Sequence, residues 1–262
     1  MKKQLLIALA VSAITASSAL ALTAPGGGVL GSVHDMNAVG NGIAKDAQGR
    51  VCAFCHTPHH AIDSTDPAAG DYMPLWSHKL TVQAYAQYDS GTYDAKTVGA
   101  IDPLVGPTRL CMSCHDGLIA PDQHYGSANT GTKFPGNEFT GGVTGALQIG
   151  IGAAGALDRT HPIGFNLVDA IAADVTSNPA GGASGFVAGL PDTNYLGTSK
   201  PVSSQLFNGF MTCATCHDVH NKDNVENVAA GIDADHPDTV GRNYLVFATQ
   251  SGSQLCLSCH NK

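Results

Sequence analysis

The chain has 262 residues and a net charge of −8, with 13 Lys and Arg against 21 Asp and Glu. That balance excludes a nucleic-acid binder working through a basic surface. Charged residues are 13%, aromatics 6% and glycines 31, which excludes a coiled coil or charged helical bundle and predicts a thin protein core with something else filling the interior.

The first element is an export signal. Lys2 and Lys3 form a basic start, Leu5 to Ile14 an apolar stretch, and Ala19-Leu20-Ala21 a cleavage site. Residues 1–21 read as signal peptide and 22–262 as the mature chain, whose net charge falls to −10 once the two lysines are removed. No cysteine follows the cleavage site and no later segment is apolar enough to span a bilayer, so neither a lipid anchor nor a transmembrane segment is expected. A Gly-rich arm, Ala24 to Gly31, comes next and reads as flexible.

Eight cysteines then fall into four C-x-x-C pairs: Cys52/Cys55, Cys111/Cys114, Cys213/Cys216 and Cys256/Cys259. Each pair is followed at once by histidine: His56, His115, His217 and His260. C-x-x-C-H is the attachment site of c-type haem. Two thiols add to the two vinyl groups on one porphyrin edge, and the next residue stands beneath the iron, where imidazole ligates strongly. With 12 histidines in the chain, four such placements by chance are on the order of a few in a million. Disulfides, zinc ribbons and thioredoxin-like sites have no need of the histidine. The expected cofactor is therefore four covalently bound haem c groups.

Each iron needs a second axial ligand to be six-coordinate. The mature chain has only Met36, Met73, Met112 and Met211, whereas eight histidines remain, so bis-histidine ligation is expected. Internal repetition selects among them. Cys55-His56-Thr57-Pro58-His59 parallels Cys216-His217-Asp218-Val219-His220, and Leu110 to His115 parallels Leu255 to His260. The chain thus reads as two pseudo-repeated dihaem units, about 30–125 and 156–262. A histidine three residues beyond a haem-binding histidine cannot reach its own iron's far side, so His59 and His220 are assigned to the partner haem of a close pair. Each unit also carries a histidine upstream of its first motif, His34 and His161, in turn-rich surroundings that let a loop present an imidazole. The distal set is therefore His34, His59, His161 and His220, with His78 the alternative. His60 is disfavoured, since side chains adjacent in an extended stretch point opposite ways. His124 and His236 default to surface or hydrogen-bonding roles.

Between the motifs, Thr81 to Ala95 is expected to hold a short helix, Val168 to Val175 another, and short helices should flank each motif. Gly126 to Leu157 reads as loop with at most a hairpin, and a second Gly-rich loop starts at Pro179.

The runs G-S-V-H-D, C-A-F-C-H-T-P-H-H-A, P-L-W-S-H, R-L-C-M-S-C-H-D-G, H-P-I-G-F-N and C-A-T-C-H-D-V-H-N occur in this order, from Gly31 to Leu118 and from Thr160 onward. Together they resemble the exported multihaem cytochromes with doubled C-x-x-C-H motifs, and more narrowly the tetrahaem OmcE-type cytochromes that polymerise into extracellular electron-conducting filaments. The resemblance implies a multihaem cytochrome c fold, mostly coil with a few short α-helices and little β around a haem-templated core. It implies stacked bis-histidine haems, a head-to-tail homopolymer, and an N-terminal histidine, here His34, capping a haem of the neighbouring subunit. The expected function is electron transfer, without catalytic residues, in a secreted protein at or beyond the cell surface that exchanges electrons with redox-partner cytochromes or extracellular acceptors. A discrete soluble periplasmic carrier is the alternative. A multihaem reductase would need an iron with an open position, against which the histidine supply counts.

Overall fold

The computed structural model describes residues 28–30, 34–37, 45–59, 61, 73–81, 83–97, 99, 101–116, 119, 123–125, 151, 157–177, 185–220, 245–248 and 251–261. The signal peptide, most of the Gly-rich arm, His60, His236, the loop from Pro179 and nearly all of 126–157 lie outside them.

Most of the described backbone is neither helix nor strand. Its α-helices are α1 Pro107–His115, α2 Leu167–Ser177, α3 Cys213–Cys216 and α4 Gln254–Leu257. Tight 3-10 turns cover Val51–Phe54, Asp94–Thr97, Val202–Gln205 and Ser251–Ser253. Antiparallel pairing among the described residues is confined to isolated bridges, such as His56 with Trp76 and His217 with Val246. No helix of the described residues is long and apolar enough to cross a membrane. The coil-rich expectation therefore holds, as do the helical turns at the motifs and the helix around Val168 to Val175.

The helix expected over Thr81 to Ala95 does not form. Its described residues run without helix until Asp94 and are tied instead to distant segments: the Leu157 N–H donates to the Ala86 carbonyl at 3.0 Å, and the Gln87 side chain donates to Ile101 O at 2.9 Å.

Local chemistry starts the longer helices. Pro107 occupies the first helical position of α1, where its missing N–H costs nothing. Gly106 precedes it at φ 53°, and a Cβ there would stand 2.4 Å from the Phe207 ring, so that close approach requires glycine. Asn166 caps α2, its Oδ1 accepting the Val168 N–H at 3.0 Å and the Asp169 N–H at 3.3 Å. Leu167 and Ala170 face inward from α2, while Val168 and Val175 are exposed.

Three clusters bury the apolar side chains. The largest joins Tyr93 and Ala95 to Phe165, Leu167, Tyr195, Val202, Met211 and Phe247. A small one holds Trp76, Leu80 and Leu110, and another Leu104, Met112 and Leu157. The α1 helix feeds both small clusters, through Leu110 and Met112. The two sequence units are sewn together. The Cys213 N–H donates to Thr108 Oγ1 at 3.1 Å, and the Asp102 N–H donates to Gly164 O at 3.0 Å.

Candidate functional site

All four C-x-x-C-H motifs sit on helical turns. Val51–Phe54, α1, α3 and α4 carry the first cysteines, and a helical turn brings residues three apart to one side. The carbonyl of the first cysteine accepts the N–H of the motif histidine: Cys52 from His56 at 2.8 Å, Cys213 from His217 at 3.0 Å, Cys256 from His260 at 2.9 Å. In α3 the turn is fixed by a capping box, in which Thr212 and Thr215 exchange side-chain and backbone hydrogen bonds.

The eight thiols are unbridged. Burial pushes Cys55, Cys114 and Cys216 up to about 12 and Cys259 up to about 11. A thiolate is disfavoured at these places, whereas a thioether is uncharged and suits them. Cysteines of successive motifs are neighbours. Cys55 feels the charge of Cys114, Cys111 is hydrogen-bonded to Cys213, and Cys216 feels Cys259. The four attachment places thus follow one another in space in sequence order.

Three pairs of imidazoles face each other. His34 and His115, His56 and His220, and His161 and His260 each have ring centroids 6.1 Å apart. Two imidazoles on opposite sides of one metal ion, each bonded through a ring nitrogen at about 2.0–2.1 Å, bring their centroids to about 6 Å. Aromatic rings also pack over such distances, so the partners decide the meaning. Every pair joins a histidine of a C-x-x-C-H motif to one of the assigned distal histidines. Among the described residues no three of His, Cys, Asp or Glu converge as a cage for a bare ion.

Second contacts orient these rings. Pro74 O is 2.7 Å from His56 Nδ1 and Pro162 O is 2.9 Å from His161 Nδ1. An Nδ1–H bound to a carbonyl leaves Nε2 as the ligating atom. Trp76 stands edge-on to His56 at 5.6 Å, and Phe186 stacks on His260 at 5.7 Å. Burial pushes the His34 imidazole down to about 4, helped by His115, His217 and His220, so the ring is neutral at physiological pH and its lone pair is available. The residues present therefore fit covalent haem with two axial imidazoles.

The placements differ from the sequence expectations at His220 and His59. His34 lies against His115 of its own chain. His220 faces His56 of the other unit, not a haem of its own. His59 is exposed, and no described ring contact joins it to another imidazole. His124 takes the hydrogen-bonding rather than the surface role, buried with Nδ1 3.1 Å from Tyr125 O and its ring 4.6 Å from Phe54. His78, the alternative ligand, is fully buried, bridged antiparallel to His124, with Nδ1 3.0 Å from Lys79 O and Nε2 3.5 Å from Cys114 Sγ. The orienting roles of Pro74, Trp76 and Phe186 had no sequence signal beyond the P-L-W run itself. Compared with known proteins, the chain matches no family model and no curated sequence.

Proposed function

We propose that the chain is an exported electron-transfer protein, a tetrahaem c-type cytochrome that assembles head to tail into an extracellular conductive filament. One observation carries the haem reading: three motif histidines each face an assigned distal histidine at 6.1 Å. When bound, each haem supplies a one-electron ferric–ferrous couple. The eight cysteines hold the groups covalently. His56, His115, His217 and His260 supply one axial imidazole each, and His34, His161 and His220 supply second ones. At the irons of His56, His115 and His260 a second imidazole would keep substrate and oxygen off the metal, which supports electron transfer rather than catalysis there. Two imidazoles and a net charge of −8 favour low reduction potentials. The series Cys55–Cys114, Cys111–Cys213, Cys216–Cys259 supports a continuous route through the chain. The haem groups would complete a core that the polypeptide only partly fills.

The polymer rests on the order of the motifs. A discrete exported carrier is favoured by one observation, that His34 sits against His115 of its own chain. Two measurements on the secreted protein decide. Covalent haem is counted by the alkaline pyridine spectrum, with four per chain expected and none overturning the reading. His34→Ala, His161→Ala and His220→Ala should each leave one iron high-spin and able to bind carbon monoxide when reduced. Three variants that stay fully low-spin would refute the ligand assignment. Negative-stain microscopy of the same fraction separates filaments from monomers.

A further inference from the structure

The first motif of each unit wears the same backbone clip. In the first unit the Thr57 N–H donates to Leu75 O and the Ser77 N–H to Cys55 O, both at 2.9 Å, around the His56–Trp76 bridge. In the second, the Asp218 N–H donates to Leu245 O at 2.7 Å and the Phe247 N–H to Cys216 O at 3.1 Å, around the His217–Val246 bridge. Leu75-Trp76-Ser77 and Leu245-Val246-Phe247 have only the leucine in common. That leucine is left-handed in both, at φ 56° and 57°. Its side chain goes opposite ways, 55% exposed at Leu75 and 2% exposed at Leu245. The recurring feature is therefore the backbone turn and not the side chain.

A left-handed backbone is unfavourable for leucine and easy for glycine. Such a conformation persists where the surroundings dictate it, often beside a functional group. At Leu75 the turn has a visible consequence. The Leu75 N–H donates to Met73 O at 2.7 Å, which folds the chain tightly across Pro74. Pro74 O then meets His56 Nδ1 at 2.7 Å.

We infer that Leu75 is a positioning residue for His56. Its left-handed backbone holds the Pro74 carbonyl on Nδ1, directs Nε2 toward the metal and raises the ring's donor strength. The inference rests on the proposed haem reading. A stronger imidazole donor favours the ferric state, so the clip lowers the potential of the haem that His56 ligates. Leu245 carries the same turn to the backbone of His217.

The test uses the exported full-length chain. Proline cannot adopt φ 56° and lacks the N–H that bonds Met73 O, so Leu75→Pro destroys the turn. The exposed side chain means that little packing is lost with it. Glycine keeps the turn, so Leu75→Gly is the control. Haem count, spin state and a potentiometric titration are read for each. Both variants should carry four low-spin haems. Leu75→Gly should titrate as the unsubstituted chain. Leu75→Pro should shift one of the four steps upward by about tenfold in the ratio of reduced to oxidised haem, 59 mV for one electron. If Leu75→Pro is not secreted, Leu75→Val decides, because a β-branched residue resists the left-handed well while keeping its N–H. It should shift the same step in the same direction. A four-haem, low-spin Leu75→Pro, or failing it Leu75→Val, with an unchanged titration overturns the inference. An unsubstituted chain without covalent haem instead overturns the haem reading beneath it.

Discussion

Among the described residues, eleven buried side chains from Tyr93 to Ala248 pack into one cluster beside the motifs of the second unit, whereas only Trp76, Leu80 and Leu110 do so beside the first motif. The larger cluster includes a stacked pair, Tyr195 on Phe247 at 5.2 Å, with the Tyr195 hydroxyl donating to Thr215 O. Lys200 lies over the outer Phe247 ring at 4.4 Å. Around the first motif the chain offers instead an indole, two leucines and the partly buried Cys55 and Met73. One region has its own apolar interior. The other has attachment points around a small one. Burial of apolar area is the main favourable contribution to folding, so on the proposed haem reading the first region would depend more on its haem groups.

The largest expected effect breaks that comparison directly. Replacing Cys111 and Cys114 together by serine removes the attachment site carried on α1, next to the small clusters. Limited proteolysis should then cut within 45–81, while fragments containing 157–220 survive. Equal protection of both regions would show that the first has an adequate core of its own.

A middle-sized effect sharpens it. Leu167 is fully buried in the large cluster, and Leu167→Ala should cost about 2–5 kcal/mol in a denaturant titration. Leu80 is 3% exposed in the three-member cluster. Leu80→Ala should cost less, toward about 2 kcal/mol, because fewer fixed neighbours surround the space left behind. A larger loss at Leu80 would invert the ranking.

The smallest effect concerns pH. Burial pushes Tyr85 and Tyr93 up to about 12, and Tyr195 higher still. Each favours the neutral phenol when folded, so its contribution is fully present below about pH 10 and is lost as pH rises toward 12. Two of the three, Tyr93 and Tyr195, belong to the large cluster. Alkaline titration followed by near-ultraviolet absorbance should therefore open that cluster, and Tyr93→Phe should move the transition upward. Ionisation near pH 10 without loss of structure would contradict it.

What the sequence made legible follows from how local each signal is. A C-x-x-C-H motif is five consecutive residues, and each of the four sits on a helical turn. Internal repetition picked out His34, His59, His161 and His220; all but the exposed His59 lie beside a motif histidine. The cap and apolar rhythm of α2 are also local. Pairing was not. Nothing near His220 announces that its partner is His56, and nothing near Leu75 announces a bond from Thr57. The stretch from Thr81 looked helical on its own because its hydrogen-bond partners, Ile101 and Leu157, lie far along the chain.

The facing of His56 and His220 has a consequence in time as well as in space. The two residues are 164 positions apart. A chain exported from its N-terminus presents His56 early and His220 late, and closing so long a loop is slow and entropically unfavourable. On the proposed haem reading, the first group to be attached would thus wait longest for its second ligand. Until then any nearer imidazole can take the vacancy, a kinetic trap set by connectivity alone. Brief exposure to free imidazole during maturation, which competes with such wrong partners and then leaves, should raise the yield of correctly liganded chain.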